Sequence, residues 1–196
     1  RVGGRYGVVI ISQPDKGLYD ATLKVLHIYD NVVLHNESSR ILTDTLHYNT
    51  QTEMAEFVSP TEIFHDTSYL YSERGRYYTS SHYAESEQAS IVRNGAKTLT
   101  CDTLYYHDDT EHGEAYGNVS ITDTVNLLFA RGKFGITDQT EGYSFVTDSA
   151  LVRYVYTHDT LFLHSDTIWV FNDTNQDLHH IVSNYGVRLY RRDFQG

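Results

Sequence analysis

Short stretches in which apolar and polar residues alternate recur along the chain, and clusters of polar residues separate them. Alternation with a period of two is typical of a β-strand with one buried face. The polar clusters are rich in Asn, Asp, Thr and Gly, which favour turns. The pattern predicts an all-β fold, with strands around four alternating sets: Leu99, Cys101 and Thr103; Val119 and Ile121; Val152, Tyr154 and Tyr156; Leu161 and Leu163.

The strand pattern repeats along the chain. A motif of a small residue, Asp, Thr and an aliphatic residue lies within residues 42–48 and returns within residues 100–106 and 164–170. The motif aspartates, Asp44, Asp102 and Asp166, are therefore 58 and 64 residues apart. A repeat of this period predicts about two full and two partial stacked units, each of which buries its apolar face against its neighbours.

Other landmarks keep a similar spacing. The basic-Gly-basic-aromatic stretch at residues 74–77 matches residues 131–134 at an offset of 57, and Asn-Val-Val-Leu at residues 31–34 returns as Asn-Val-Ser-Ile at residues 118–121. We therefore expect repeated antiparallel strands in a stack with open strand edges, where another copy or a partner can pair.

The composition agrees with strands and excludes several classes of protein. The 196 residues include 17 Tyr but one Met, and good helix formers are scarce. The formal net charge of −11 argues against nucleic acid as a partner, because neutralised phosphates supply most non-specific affinity. No apolar run approaches the length of a membrane-spanning helix, and the single Cys101 forms no internal disulfide.

Residues suited to catalysis or metal binding do not form a convergent set. Asp44, Asp102 and Asp166 occupy equivalent places in successive units, so we expect each to cap a turn or end a strand. Cys101 occupies the small-residue position of the motif and is expected to fill space. The His and acidic cluster at residues 107–112 lacks zinc-site spacing and predicts a solvated hairpin. The sequence therefore predicts no catalytic residue, no metal site and no cofactor.

The strongest remaining feature is a set of aliphatic side chains that alternation places on one side of the strands. Two interpretations remain open for this face: an ordinary sandwich core, or a lengthwise groove that holds an apolar ligand. The predicted lining consists of Val32, Leu34, Leu42, Leu46, Leu104, Val119, Ile121, Val152, Leu161, Leu163 and Ile168.

The repeat unit resembles the OstA-like, or LptA-like, family of lipopolysaccharide-transport proteins. The resemblance rests on residues 99–106, 118–121, 131–134 and 150–152 and extends over residues 18–196, and the tyrosine-rich residues 185–196 are similar to versions from Bacteroidetes-type bacteria. It implies that residues 18–196 form a single β-jellyroll of two facing sheets in a V shape. Residues 1–17 are then an amino-terminal arm or a remnant that is not part of the domain.

The resemblance also implies a function. OstA-like domains shelter lipopolysaccharide acyl chains between their sheets and stack edge to edge in a periplasmic bridge to the outer membrane. The expected partners are lipopolysaccharide or a related lipid, other OstA-like domains, and further copies of this chain end to end. Four basic residues recur around the repeated glycines and are candidates to contact lipid phosphates, with a solvated turn as the alternative: Arg74, Arg76, Arg131 and Lys133.

Two other functions remain open at this point. One is a structural or adhesive repeat protein with a closed, dry core. The other is a β-solenoid carbohydrate hydrolase, which needs two carboxylates about 5 to 10 Å apart in a cleft. If the chain is OstA-like, it is either a free periplasmic protein or the amino-terminal part of a larger outer-membrane translocon.

Overall fold

A computed structural model describes residues 9–10, 16–35, 39–65, 67–107, 109–138, 140–156, 159–172 and 178–191. In these residues every regular element is a β-strand, and the strand pairings are antiparallel. The predicted all-β class is therefore confirmed. Contacts divide the chain into two compact units, residues 1–95 and 96–196. Most of the expected arm, residues 1–17, lies outside the described residues.

Unit 1 contains nine strands. They are β1 (Val9–Ile10), β2 (Lys16–Asp20), β3 (Val25–His35), β4 (Ser39–Asn49), β5 (Met54–Phe57), β6 (Thr61–His65), β7 (Ser68–Ser72), β8 (Arg74–Tyr78) and β9 (Tyr83–Asn94).

Unit 1 has two halves, which we call half A and half B. The long strands β3, β4 and β9 run through both halves, and each short strand belongs to one of them. The second part of β4 pairs with β5, whereas its first part pairs with β6. Strand β9 likewise pairs with β8 through its first part and with β7 through its second. Half A therefore contains β2, β5 and β8, and half B contains β1, β6 and β7.

Unit 2 contains seven strands and the same division. They are β10 (Lys97–His107), β11 (His112–Asp123), β12 (Leu128–Asp138), β13 (Tyr143–Tyr156), β14 (Asp159–Asn172), β15 (Leu178–Asn184) and β16 (Arg188–Arg191). Strand β14 pairs with β16 through its first part and with β15 through its second. Half A of unit 2 therefore ends at β15, and half B ends at β16. Within each unit this arrangement is consistent with an OstA-like β-jellyroll.

A β-bulge marks the boundary between the two halves in the long strands β3, β11 and β13. Asp30 and Asn31 of β3 have φ of 64° and 58° and lie opposite the single residue Asp44. Residues 148–149 of β13 repeat this geometry opposite Asp166. Left-handed backbone is least costly for Gly, Asn and Asp, and a bulge bends the strand that carries it. The polar residues between apolar stretches thus form bends within strands as well as turns.

The motif aspartates lie inside strands β4, β10 and β14 and not at turns or strand ends, so that expectation is wrong. The carboxylate of Asp102 accepts hydrogen bonds from Asn118 Nδ2 at 2.9 and 3.2 Å. Gly117 has a φ of 69°, and a Cβ there would lie 2.2 Å from Asp102 Oδ2. A larger residue at position 117 would therefore displace the Asp102 side chain, although Asp30 and Asp148 adopt a similar φ in the other bulges.

Burial confirms the alignment of the aspartate motif. The residues before the aspartates, Thr43, Cys101 and Ser165, are all buried. Cys101 thus fills space in a buried position, as expected.

Strand register contradicts the alignment of the basic-Gly-basic motif. Leu70 pairs with Val92 just as Ala130 pairs with Val152, so corresponding residues are 60 apart and not 57. Gly75 therefore corresponds to Gly135.

Buried side chains from both halves of unit 1 pack into one cluster. It contains Ile28, Val32, Leu34, Leu46, Ala55 and Phe57. Because Val32 and Leu34 belong to half B and the other four to half A, the buried faces of the two halves pack against each other.

Candidate lipid-binding face

Three of the four predicted lining residues of unit 1 lie on its buried face. Val32, Leu34 and Leu46 are 1%, 8% and 2% exposed and belong to the cluster of unit 1. Leu42 instead pairs with Val33, next to Val32 in β3, and lies on the opposite face.

In half B of unit 2, the predicted residues form a row across five strands. Ile121 pairs with Ala130, Ala130 with Val152, Val152 with Leu163, and Leu163 with Leu189. Ala130 and Val152 are buried, Ile121 and Leu163 are partly exposed, and Leu189 at the edge is 62% exposed. The row is thus an apolar track that opens toward β16. Leu161 lies on the same face, two residues before Leu163.

A second row crosses half A of unit 2. Leu104 pairs with Ala115, Ala115 with Gly135, Gly135 with Val146, and Val146 with Ile168. The side chains of this row are buried. Val119, next to the bulge of β11, is 1% exposed. All seven predicted lining residues of unit 2 therefore belong to its buried face.

Sequence reasoning missed several members of the buried faces. Ile28 and Phe57 pair with Leu46 from either side, while Ala130 and Val146 lie within the two rows of unit 2. Ile28, Phe57 and Val146 lie outside the repeated motifs that were used for the alignment. Ala130 was missed because alanine gives a weak hydrophobic signal. Cross-strand register was the information needed to find them.

Hydroxyl groups line the bend of unit 1. Thr61 Oγ1 donates to the Ser59 carbonyl at 2.8 Å and lies 2.9 Å from Thr43 Oγ1, and the hydroxyls of Ser86 and Ser90 are 2.6 Å apart. With Ser72, which bonds the Arg74 carbonyl, these residues form what we call the hydroxyl belt: Thr43, Thr61, Ser72, Ser86 and Ser90. All five side chains are buried.

A small cavity lies beside the hydroxyl belt. Its volume is about 30 Å³, and its lining includes Phe57, Ile63 and Leu70 with Thr61 and Ser72. Roughly 10–15 Å³ by this measure holds one water molecule. The cavity therefore has room for water but not for an acyl chain unless the halves of unit 1 move apart.

The predicted phosphate contacts fall into two groups. Arg76 lies between two carboxylates, with Nε 3.3 Å from Glu56 Oε1 and Nη1 3.4 Å from Glu85 Oε2. Arg74, Arg131 and Lys133 are exposed. Arg76 is thus already ion-paired, and the other three remain accessible to an anion.

Gly132 lies between Arg131 and Lys133 because the strands approach closely there. A Cβ at this position would lie 2.5 Å from the Thr147 carbonyl oxygen. Gly75 is similar, with the Glu85 carbonyl oxygen at 2.5 Å. The repeated glycines are therefore explained by backbone packing.

The outward face of half A in unit 1 carries a histidine pair. His27 pairs with His47, and their ring centroids are 4.6 Å apart. Burial, followed by repulsion from His27, lowers the pKa of His47, although Glu56 opposes this. His47 is therefore neutral over more of the acidic range than an ordinary histidine.

Among the described residues, no group of three or more His, Cys, Asp or Glu side chains is arranged to hold a metal ion. Asp108 of the predicted histidine hairpin lies outside them. In the same part of the chain, no helix is long and apolar enough to cross a membrane.

The comparisons with known proteins agree with the fold. No curated protein matches the chain. A family model described as OstA-like protein matches residues 5–90, which span most of unit 1. The match confirms the resemblance to OstA-like proteins over residues 5–90, does not test the Bacteroidetes-type likeness of residues 185–196, and supports involvement in lipid or lipopolysaccharide transport. Over residues 5–90, the chain is similar to the OstA-like family.

Proposed function

We propose that this protein is a non-enzymatic periplasmic lipid carrier that shelters lipopolysaccharide acyl chains against its buried apolar faces. The observation that carries the proposal is the row from Ile121 to Leu189, an apolar track that crosses five strands and opens at an edge. Sheltering an acyl chain from water is worth about 0.8 kcal/mol per methylene. A continuous apolar track supplies this free energy without any chemical step.

Loading requires the halves of a unit to separate. Solvent exposure increases along the row, from 2% at Val152 to 62% at Leu189. An acyl chain can first contact the accessible end at β16 and then displace contacts between the buried faces. Exposed Arg131 and Lys133 are on β12 and are candidates to contact the lipid phosphates.

The strand edges support stacking with similar domains. β16 pairs with β14 and, among the described strands, with no other, and Tyr190 is 55% exposed. In unit 1, Leu18 and Tyr19 of β2 are 63% and 48% exposed. Unpaired edges of this kind add strands from a partner. We propose that other OstA-like domains, or further copies of the chain, pair with them.

Site-specific photo-crosslinking tests the lipid proposal. A photoreactive residue at Leu163 or Leu34 is expected to capture lipopolysaccharide, because both positions lie on buried faces. The matched control is Leu42, an aliphatic residue on the opposite face of unit 1. Capture at Leu42 equal to that at Leu163 would contradict the proposal.

The small cavity of unit 1 favours a second candidate, a structural or adhesive repeat protein with a dry core. This function predicts that added lipid is captured at neither Leu163 nor Leu34. It also predicts that lipid leaves the thermal stability of the protein unchanged, whereas a bound ligand raises it.

A further inference from the structure

The outward face of half B in unit 2 carries arginine and aromatic side chains in two neighbouring rows. In the first row Phe129 pairs with Arg153, Arg153 with Phe162, and Phe162 with Tyr190. The Arg153 guanidinium carbon lies 5.3 Å from the centroid of the Phe129 ring, within range of a cation–π interaction.

The second row, two residues along each strand, adds two arginines. Arg131 pairs with Leu151, Leu151 with His164, and His164 with Arg188. Arg131, Arg188 and also Arg153 are exposed. We name the two rows together the arginine–aromatic face, defined by Phe129, Arg131, Arg153, Phe162, Arg188 and Tyr190.

This face has a local charge opposite to that of the protein. Its other positions in the described strands are three threonines, one serine, Leu151 and His164, so the two rows contain no carboxylate. Carboxylates return at the bend, with Asp102, Asp148 and Asp166. In a chain of net charge −11, three exposed arginines on one face form a distinct basic patch.

The corresponding face of unit 1 is electrically mixed. Arg93 lies over the ring of Tyr69 at 5.2 Å, the counterpart of Arg153 over Phe129. However, the Tyr69 hydroxyl donates to Glu62 at 2.9 Å, and Glu73 accepts from a neighbouring tyrosine. The basic patch is therefore a property of unit 2 and not of the repeat.

Exposed aliphatic side chains lie at the tip of the same half. The turn between β11 and β12 contains Val125 and Leu127, which are 76% and 52% exposed. The Val155 amide donates to the Leu127 carbonyl at 3.0 Å, which keeps this turn at the end of strand β13. Arginines, aromatic rings and exposed aliphatic groups are thus adjacent on one end of half B.

We propose that the arginine–aromatic face docks on a membrane surface that contains anionic lipids. Arginines contact the anionic headgroups, aromatic rings lie at the interface, and Val125 and Leu127 reach the acyl boundary. An acidic protein partner would use the arginines, but it would leave the two exposed aliphatic residues of the tip without an apolar environment. The combination therefore favours a membrane.

Vesicle co-sedimentation with the full chain tests this proposal. The wild-type protein is expected to bind vesicles of phosphatidylglycerol and phosphatidylcholine more tightly than vesicles of phosphatidylcholine alone, and less tightly at high salt. Each arginine near the surface is worth about a fivefold change in affinity. The triple variant Arg131→Gln, Arg153→Gln and Arg188→Gln should therefore bind roughly 100-fold more weakly, and Val125→Ser should also weaken binding.

The matched control is the triple variant Lys24→Gln, Arg40→Gln and Arg93→Gln. These three exposed basic residues are in unit 1, and their replacement changes the net charge equally, so it should leave binding nearly unchanged. Equal losses in both triple variants, or no binding by a wild-type protein shown to be folded by circular dichroism, would overturn the proposal. It would also be overturned if the unit 2 triple variant lost self-association in sedimentation velocity but wild-type protein did not bind vesicles.

Discussion

The two units make the same bend with different side chains. In unit 1 the hydroxyl belt crosses the buried face, whereas in unit 2 the positions around the bend include Cys101, Val119, Gly132, Ala150 and Ser165. Direct counterparts show the difference: Ser90 corresponds to Ala150, and Ser72 corresponds to Gly132.

The difference has a consequence for an apolar ligand. An acyl chain that crosses the bend of unit 1 would have to pass hydroxyls that bond one another, such as Ser86 and Ser90. Such a chain cannot replace those hydrogen bonds, and a buried polar group without a partner is costly. Unit 2 offers a more continuous apolar path. If the proposed lipid carriage is correct, the comparison favours unit 2 as the main track for the acyl chain.

The largest expected effect comes from removing a buried aliphatic side chain that both units share. Ile168 and Leu46 are the aliphatic residues of the aspartate motif and are 0% and 2% exposed. We expect Ile168→Ala and Leu46→Ala each to lower the free energy of unfolding by about 3 kcal/mol, as measured by urea denaturation. Leu42→Ala, on the opposite face, should cost under about 1 kcal/mol. A similar loss at Leu42 would mean that the faces are assigned wrongly.

The next largest effect on stability distinguishes the bend of unit 2 from the bend of unit 1. Gly132→Ala places a Cβ against the Thr147 carbonyl oxygen, at 2.5 Å before any shift, and should lower the free energy of unfolding by roughly 2–3 kcal/mol. The counterpart change in unit 1, Ser72→Ala, keeps a Cβ that is already accommodated. It should cost about 1 kcal/mol through the lost hydrogen bond. Equal costs in urea denaturation would show that the bends are packed alike.

Exchanging the residues of the two bends should give a smaller effect. Ala150→Ser adds a hydroxyl where Ala150 is 0% exposed, and an unbonded buried hydroxyl costs about 1–3 kcal/mol. Ser90→Ala should cost about 1 kcal/mol, because Ser86 loses a partner at 2.6 Å. Thermal denaturation of both variants checks these values. If Ala150→Ser stabilised the protein, the added hydroxyl would have to find a hydrogen-bond partner at the bend of unit 2, and the description of that bend as apolar would be wrong.

The smallest expected effect is a pH dependence of stability that arises from His47 in unit 1. The pKa of His47 is lowered in the folded state by burial and by His27, against the opposing charge of Glu56. The unfolded chain therefore binds more protons just below pH 6.5, so this group makes stability fall as the pH decreases through that range. In wild-type protein the loss of stability between pH 7.5 and 5.5 should exceed that in His47→Gln. An equal loss in urea denaturation would show that His47 does not contribute.

Spacing alone was enough to predict the strands and the aspartate motif. The motif could be aligned because the small residue, the aspartate and the aliphatic residue occupy one bulge geometry in each unit. Thr43, Cys101 and Ser165 are buried at equivalent points. Most of the predicted lining followed from this alignment.

Leu42 shows why period-two counting fails across a bulge. Leu42 and Leu46 are four residues apart and should share a face, but the bend at Asp44 lies between them and reverses the alternation. Thr43 and Leu46 are buried as a result, and Leu42 is not. The sequence contains no signal that distinguishes this aspartate from one in a turn.

The glycine motif fails for a different reason. Gly75 and Gly132 look alike because each lies between basic residues, yet register relates Gly75 to Gly135. A Cβ at Gly75 or at Gly132 would lie 2.5 Å from a backbone carbonyl oxygen. Close backbone approach selects glycine at several points of a bent sheet, so glycine alone does not identify equivalent positions. The basic residues beside the two glycines are not equivalent either.

Methyl NMR with a lipid that carries a spin label on its acyl chain tests the central claim most directly. The account predicts that bound lipid broadens the methyl signals of Ile121, Val152 and Leu163, which share the buried track of unit 2. The methyl signals of Val33 and Leu42, on the outward face of unit 1, should stay sharp. Equal broadening of the two sets, or broadening of the outward set alone, would contradict the account.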